Sequence, residues 1–382
     1  MRDHLQTRRG LRVFAAAAVA ALAVGAASVA SAAPPPAPVA ARPTSPAAAA
    51  DEGLIVQQVG RWGAGWLARQ ITAGGGHLNA FGAPDATDTA YAVVALHAAG
   101  VGRAAANQAV GYLKTQLTTA LQSGGKDAPG PLAYWILAAT ASGENPRQFG
   151  GRAAKNDLVS RLLATARTSG PDTGLFGVQA PTFDGAFRQG FALLALKAAG
   201  VAKANRKVAA GIDWLERQQC ANGLWEPYRA DASVACVPAD PTTFAGPDTN
   251  SSGAAIQGLA AYALRPHKAE ALATFRAVQS ADGGFPFLAA TGQSSDPSST
   301  ALVLQALIAL KQEPASWGAF DALVGYQLSC SAPPADRGAF FFPGSTDPNV
   351  LSTVQAVPAL MLKAFPIAPT TLSTKVPKRA CP

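Results

Sequence analysis

The chain is poor in charge, in metal-binding side chains and in glutamate, and each shortage closes a route to function. Charged residues make up 14% of the 382, against 49% hydrophobic. That balance excludes a disordered, self-repelling chain and calls for a well-buried core. The body carries no cluster of Lys and Arg. The short tail with Lys375, Lys378 and Arg379 is too little for a nucleic-acid partner. No Cys-x-x-Cys pair exists, and His77, His97 and His267 are the only histidines beyond residue 32. A zinc site is therefore not expected, nor any cofactor. Glu occurs six times in all, which weakens a two-carboxylate hydrolase.

The ends of the chain set the compartment. Residues 1–32 have the form of a signal peptide. Arg2, Arg8, Arg9 and Arg12 form a basic head, Val13 to Val24 an apolar run, and Ala30-Ser31-Ala32 a cleavage site. The run is too short for a stable membrane span, so no transmembrane segment is expected in the mature chain. Thr7-Arg8-Arg9-Gly10-Leu11 also suits a twin-arginine signal, and both export routes stay open. Residues 33–53 are rich in Ala and Pro and read as a linker. From residue 33 on, 27 basic and 22 acidic side chains leave a net charge of +5. A secreted or extracytoplasmic protein is expected, acting as a monomer.

Cys220, Cys236, Cys330 and Cys381 all lie in the exported part. An even count in an oxidising compartment favours two disulfides, for which the sequence allows three pairings. Cys220 and Cys236 share one loop and are expected to pair, which leaves Cys330 for Cys381.

The body repeats. Six apolar segments align without gaps on Leu96, Ala139, Leu196, Leu259, Leu307 and Leu360, at intervals of 43, 57, 63, 48 and 53 residues. That spacing marks a repeat architecture. Each unit pairs an amphipathic helix with an Ala-rich, nearly uncharged one, so outer and inner helices alternate. A loop with Gly and an aromatic joins them, as at Leu224-Trp225 and Phe285-Pro286-Phe287. The six units predict an all-α, closed (α/α)6 toroid over 54–366, followed by a tail at 367–382. A linear α-solenoid is the alternative.

One phrase is more specific. Gly211-x-x-Trp214-Leu215-x-x-x-Gln219-x-x-x-Gly223-x-Trp225 resembles the QW motif of squalene and oxidosqualene cyclases. Looser copies run through Phe275, Gln279, Gly283 and Phe285, and through Trp66, Leu67, Gln70 and Gly74. The chain thus resembles the terpenoid cyclase and protein prenyltransferase toroid superfamily over 54–366. In that family the Gln and Trp tie an outer-helix end to the next loop. The family's catalytic signatures are missing. There is no Asp-Asp pair anywhere, hence neither D-x-D-D nor D-D-x-x-D. His77 and His97 have no neighbouring Cys for a prenyltransferase zinc, and the thioester phrase G-C-G-E-Q is absent. The resemblance therefore implies the fold and puts the activity in doubt.

Two sets of residues are candidates for a site. Asp88, Asp248, Asp296 and Asp347 each precede or open an inner helix. They would ring one mouth of the toroid, as a binding or acid–base rim or as helix caps. Tyr91, Tyr134, Phe191, Leu302 and Gln355 occupy one inner-helix column, with Ala254 between. The column lies about 200° from the aliphatic Val93 column, counting 100° per residue, so it faces the ring axis. It either lines a cavity, with Ala254 leaving space, or plugs the centre. The expected function is a secreted binding protein with no catalytic residues, holding an apolar or amphipathic small molecule. The enzyme alternatives are a terpenoid-cyclase-like activity and a polysaccharide-active lyase or hydrolase.

Overall fold

The computed structural model describes residues 46–80, 82–177 and 185–381. The signal at 1–32 and most of the linker lie outside them. Among the described residues the chain forms twelve α-helices. Six are outer: α1 (Pro46–Ala73), α3 (Arg103–Thr115), α5 (Leu158–Ala164), α7 (Arg206–Arg217), α9 (Lys268–Val278) and α11 (Ala319–Gly325). Six are inner: α2 (Ala86–Ala99), α4 (Pro129–Ala141), α6 (Ala186–Ala198), α8 (Thr249–Ala261), α10 (Pro297–Ala309) and α12 (Val350–Leu360). Each inner helix packs on the next, and α12 packs on α2, so the ring is closed and the linear solenoid is excluded. Every residue of the Leu96 column is fully buried. None of the described helices is long and apolar enough to cross a membrane. Helix α1 starts at Pro46, inside the segment read as linker. Ala47 to Ala50 are the strongest helix formers, and Pro is tolerated at a first helical position.

Six times the chain turns from the outer ring to the inner one, and five turns share one latch. The fourth residue after the inner-helix cap accepts a loop backbone N–H. Thr89 Oγ1 takes Leu78 N, Ser252 Oγ takes Trp225 N, Thr300 Oγ1 takes Phe285 N, and Thr353 Oγ1 takes Phe340 N, each at 2.9 Å. In the third unit Gln189 Oε1 takes Phe176 N at 2.9 Å. All five side chains are 0% exposed, so these N–H groups have no water to turn to. The second unit has Leu132 at this position. Its loop is tied instead by a two-stranded hairpin, β3 (Gln122–Ser123) with β4 (Lys126–Asp127). Arg161 then donates to both carboxylate oxygens of Asp127, at 2.9 and 2.6 Å. An earlier hairpin, β1 (Leu78–Ala80) with β2 (Ala83–Asp85), joins α1 to α2.

The QW phrase works as a staple between neighbouring outer helices. Gln219 Nε2 donates to Gly223 O in its own loop (2.9 Å) and to Pro266 O ahead of α9 (3.1 Å). Trp225 Nε1 donates back to Leu215 O at 2.8 Å. Gly223 has φ +81°, and a Cβ there would stand 2.3 Å from the Ala271 backbone nitrogen, so the close approach requires glycine. Gln279 repeats the pattern to Gly283 O and Trp317 O (2.6 and 2.5 Å). The copy at Gln70 differs, because α1 runs on past it to Ala73. Two further staples escape the motif. Gln327 reaches Gly338 O and Val59 O (3.0 and 2.9 Å) across a longer loop. Gln189 reaches Gly174 O and Gly211 O (3.0 and 2.9 Å) from an inner helix.

The ring is drawn tight between α6 and α8. A Cβ on Gly190 would stand 2.3 Å from Ala254 O, and one on Gly258 would stand 2.8 Å from Gly190 O. The position expected to leave space, Ala254, is thus where two backbones meet. Below it the chain leaves α12 and turns back under the ring, burying Phe365, Ile367 and Leu372. Both expected disulfides form, Cys220–Cys236 and Cys330–Cys381. We expect Gly190→Ala to destabilise by about 1–3 kcal/mol or more, because the added methyl meets backbone that cannot swing away. The denaturant midpoint measures it, and an unchanged midpoint would show that α6 and α8 have room.

Candidate functional site

The inner helices all start at one end of the ring, and their caps form its mouth. Asp248 and Asp296 are N-caps, accepting Ser251 N at 2.6 Å and Ser299 N at 2.8 Å. The other two acids are not. The cap of α2 is Asp85, which accepts the backbone N–H of Asp88 at 2.7 Å. The cap of α12 is Asn349, which accepts Ser352 N at 2.8 Å, while Asp347 lies in an exposed part of the loop. A cap needs extended backbone at its own position with the helix starting next, and Asp85 and Asn349 have it. Relieved of capping, the Asp88 carboxyl has no hydrogen-bond partner among the described residues.

Beneath the caps the axis is filled with aromatic rings. Tyr91 on α2 and Tyr134 on α4 stack with centroids 4.9 Å apart, and Tyr134 meets Phe191 on α6 at 4.8 Å. Tyr91 also reaches Phe191 at 6.2 Å, past the helix between them, so the column does face the axis. Phe187 covers Phe191 from the mouth side of α6 at 5.0 Å. Phe365 enters from below, 5.7 Å from Tyr91 and 5.8 Å from Phe191. Its backbone N–H is held by Gln257 Oε1 at 3.1 Å. Leu302 and Gln355, on α10 and α12, complete the column and are buried. The rings therefore form a packed plug, which is the floor of the mouth. Phe365 was absent from the sequence-based set because it stands outside the aligned inner-helix column.

Electrostatically the mouth is unusual. Burial, then the Asp85 carboxylate, push the Asp88 carboxyl up from 3.8 to about 7. Burial raises the Tyr134 hydroxyl, with Asp88 a second cause and Arg188 opposing it. Burial also raises Tyr91, with Tyr134 and Asp88 adding to it. Asp248, wholly buried, is pushed up to about 6 in spite of its bonds from Ser251. Among the described residues, several polar side-chain atoms of the inner helices are buried without a hydrogen-bond partner: Tyr91 Oη, Asn250 Oδ1, Ser352 Oγ and Gln355 Oε1. Asp88 on α2 and Ser352 on the adjacent α12 each stand three residues past their cap, with Gln355 one turn further along α12. Native proteins rarely leave such atoms unmatched. The grouping of Cys220, Glu226 and Cys236 has the spacing of a metal site, but its sulfurs are bonded to each other and offer no thiolate.

A closed ring of six helix pairs, with its loops gathered over the inner-helix N-termini, defines an (α/α)6 toroid. No protein-family model matches the chain, and no curated protein does. Solved structures do match. The chain is similar to an unsaturated glucuronyl hydrolase specific for heparin at 13% identity, covering 82% of this chain and 97% of that one, with a TM-score of 0.56. It is similar to the glycosaminoglycan-degrading unsaturated glucuronyl hydrolase of Bacillus sp. GL1 at 16% identity, covering 80% and 96%, also at 0.56. It is similar to the type II terpene cyclase MstE from Scytonema at 16% identity, covering 82% and 98%, at 0.53. Identities this low carry the fold and no more.

The raised Asp88 carboxyl has a sign that can be checked. Its folded value, about 7, lies above the unfolded 3.8. The native state then binds the extra proton, so stability is full below pH 4 and falls as pH rises to about 7. Asp88→Asn removes that loss. The variant should gain about 1–3 kcal/mol on the wild type between pH 4 and 8, allowing for water at the half-buried carboxyl. Paired denaturation curves at the two pH values measure it; a constant difference would place the carboxyl in ordinary solvent.

Proposed function

We propose that this is an extracytoplasmic binding protein whose site is the mouth of the toroid, with an amphipathic small molecule as its ligand. The observation that carries this is the half-buried Asp88 carboxyl, without a hydrogen-bond partner among the described residues, beside an aromatic floor. Phe187 and Tyr134 offer an apolar seat. Asp88 offers a hydrogen bond that no described residue uses, while Ser352 Oγ and Gln355 Oε1 lie buried nearby. Sites of this kind are mostly apolar, with a few placed polar groups that fix orientation. The export signal and two disulfides support the compartment. The apolar part of the ligand is seated on the plug and not within it, since the rings already fill the axis.

A second reading is acid chemistry at the same mouth. A carboxyl that holds its proton near pH 7 can donate it, and Asp88 is the one candidate favoured by an observation. The fold neighbours include a hydrolase and a cyclase, which admits the reading without supporting a particular reaction. Its nearest companion, Asp85, is committed to a cap.

Native mass spectrometry of protein purified from its own host should show a co-purifying small molecule. Tyr134→Ala and Asp88→Asn should each weaken its rebinding about tenfold or more, which is about 1.4 kcal/mol. Binding unchanged in both variants would remove the mouth as the site. Retained binding with lost turnover in Asp88→Asn would favour the acid reading.

A further inference from the structure

The chain enters the ring at α1 and leaves it at α12, so no loop joins the two sides of that seam. Packing of α1 on α12 and α2 closes it. The segment after α12 then crosses the seam from outside. Ser373 N donates to Gly100 O (3.0 Å), and Gly102 N and Arg103 N donate to Lys375 O and Ser373 O (3.0 and 3.1 Å). Arg69 Nη1 donates to Pro377 O at 3.3 Å, and a Cβ on Gly65 would stand 1.8 Å from the same oxygen. Arg379 lies 5.2 Å from the Trp62 ring centre and donates to Gln327 Oε1 at 2.9 Å. Cys381 then bonds to Cys330. Helix α1 is thereby held between α12 and a strap.

The strap is held in two different ways along its length. Up to Leu372 it is anchored by buried side chains, Phe365, Ile367 and Leu372. Beyond Leu372 every side chain is half-buried or exposed, so only surface hydrogen bonds and the disulfide hold it. Cys330 and Cys381 are both half-buried and within reach of a reductant, as is Cys236; Cys220 is the buried one. We propose that Cys330–Cys381 is a reducible latch on the seam, opened by a dithiol so that residues 373–381 lift from α1. One thiolate of the reductant attacks the disulfide and forms a mixed disulfide, releasing the other cysteine as a thiolate that takes a proton. The second thiol of the reductant resolves it. The reductant ends as a disulfide, and both cysteines end as thiols. Residues 361–372 stay in place because burial, not the disulfide, holds them.

The test is reduction of the folded wild-type protein by graded dithiothreitol, trapped with an alkylating agent and read by peptide mass spectrometry with hydrogen exchange. Cys330 and Cys381 should become alkylated as the strap opens. Exchange should rise about tenfold or more in residues 373–381 and in α1, and stay unchanged in α6, α8 and α10. Reoxidation should restore the protection. A Cys330→Ser, Cys381→Ser double variant, if it folds, should show the same pattern without reductant. A rise in exchange around the whole ring, or unchanged exchange in α1 and residues 373–381 once Cys330 and Cys381 are reduced, would each overturn the latch.

Discussion

The ring depends on how it treats a buried backbone N–H. Five of the six returns from an outer helix to an inner one pass a loop residue deep in the wall, at Leu78, Phe176, Trp225, Phe285 and Phe340, whose N–H cannot reach water. An unmatched donor of this kind costs about 1–3 kcal/mol, and five of them would exceed the margin of a typical domain. The inner helix supplies the acceptor from its second turn. A hydroxyl suits the place, because it accepts the loop N–H and still donates to its own helix. Thr353 does this to Asn349 O at 2.7 Å, and Ser252 to Asp248 O at 2.6 Å. The cap residue meanwhile sends its own N–H to the aromatic's carbonyl, as Asp248 does to Trp225 O at 3.0 Å. Loop and helix start are thus bonded in both directions.

Once the turns are fixed, the inner helices have little choice of distance. Gly190, Gly253 and Gly258 let α6, α8 and α10 approach until backbone meets backbone or a Leu302 side chain. The narrowing leaves the axis room for a few large side chains. Three come from α2, α4 and α6, and a fourth, Phe365, is brought by the chain as it leaves α12. The tail is thus part of the core, and the floor of the mouth is made from both ends of the fold.

Much of this is legible in the sequence, and the gaps have physical causes. The Leu96 column and the aliphatic column beside it survive alignment because helix burial repeats on a fixed period. The axis-facing column follows from the same geometry. The caps are less legible: Asp85 and Asp88 are both acids at a helix start, and only backbone angles decide between them. The staple at Gln189 is hidden because the amide comes from another helix, so no spacing within one loop reveals it. The staple at Gln327 is hidden by a longer loop. Phe365 is beyond local reading altogether, since its partner Gln257 lies 108 residues away.

Asp88 is the place where local preference and burial disagree. A carboxylate in the first turn of a helix is favoured by the helix dipole, by about 0.3–1 kcal/mol. Yet its carboxyl is driven up from 3.8 to about 7, which at face value is on the order of 4 kcal/mol against the charged form. Water at the half-buried group reduces that figure, but desolvation still outweighs the dipole. An Asn or Ser at the same position would keep the helix start and avoid the cost, as Ser251, Ser299 and Ser352 do in the equivalent turns of α8, α10 and α12. Capping does not need this acid, because Asp85 performs it. A carboxyl kept at a net cost, without a hydrogen-bond partner among the described residues and beside the stacked rings, marks the place in the ring where burial outweighs local preference.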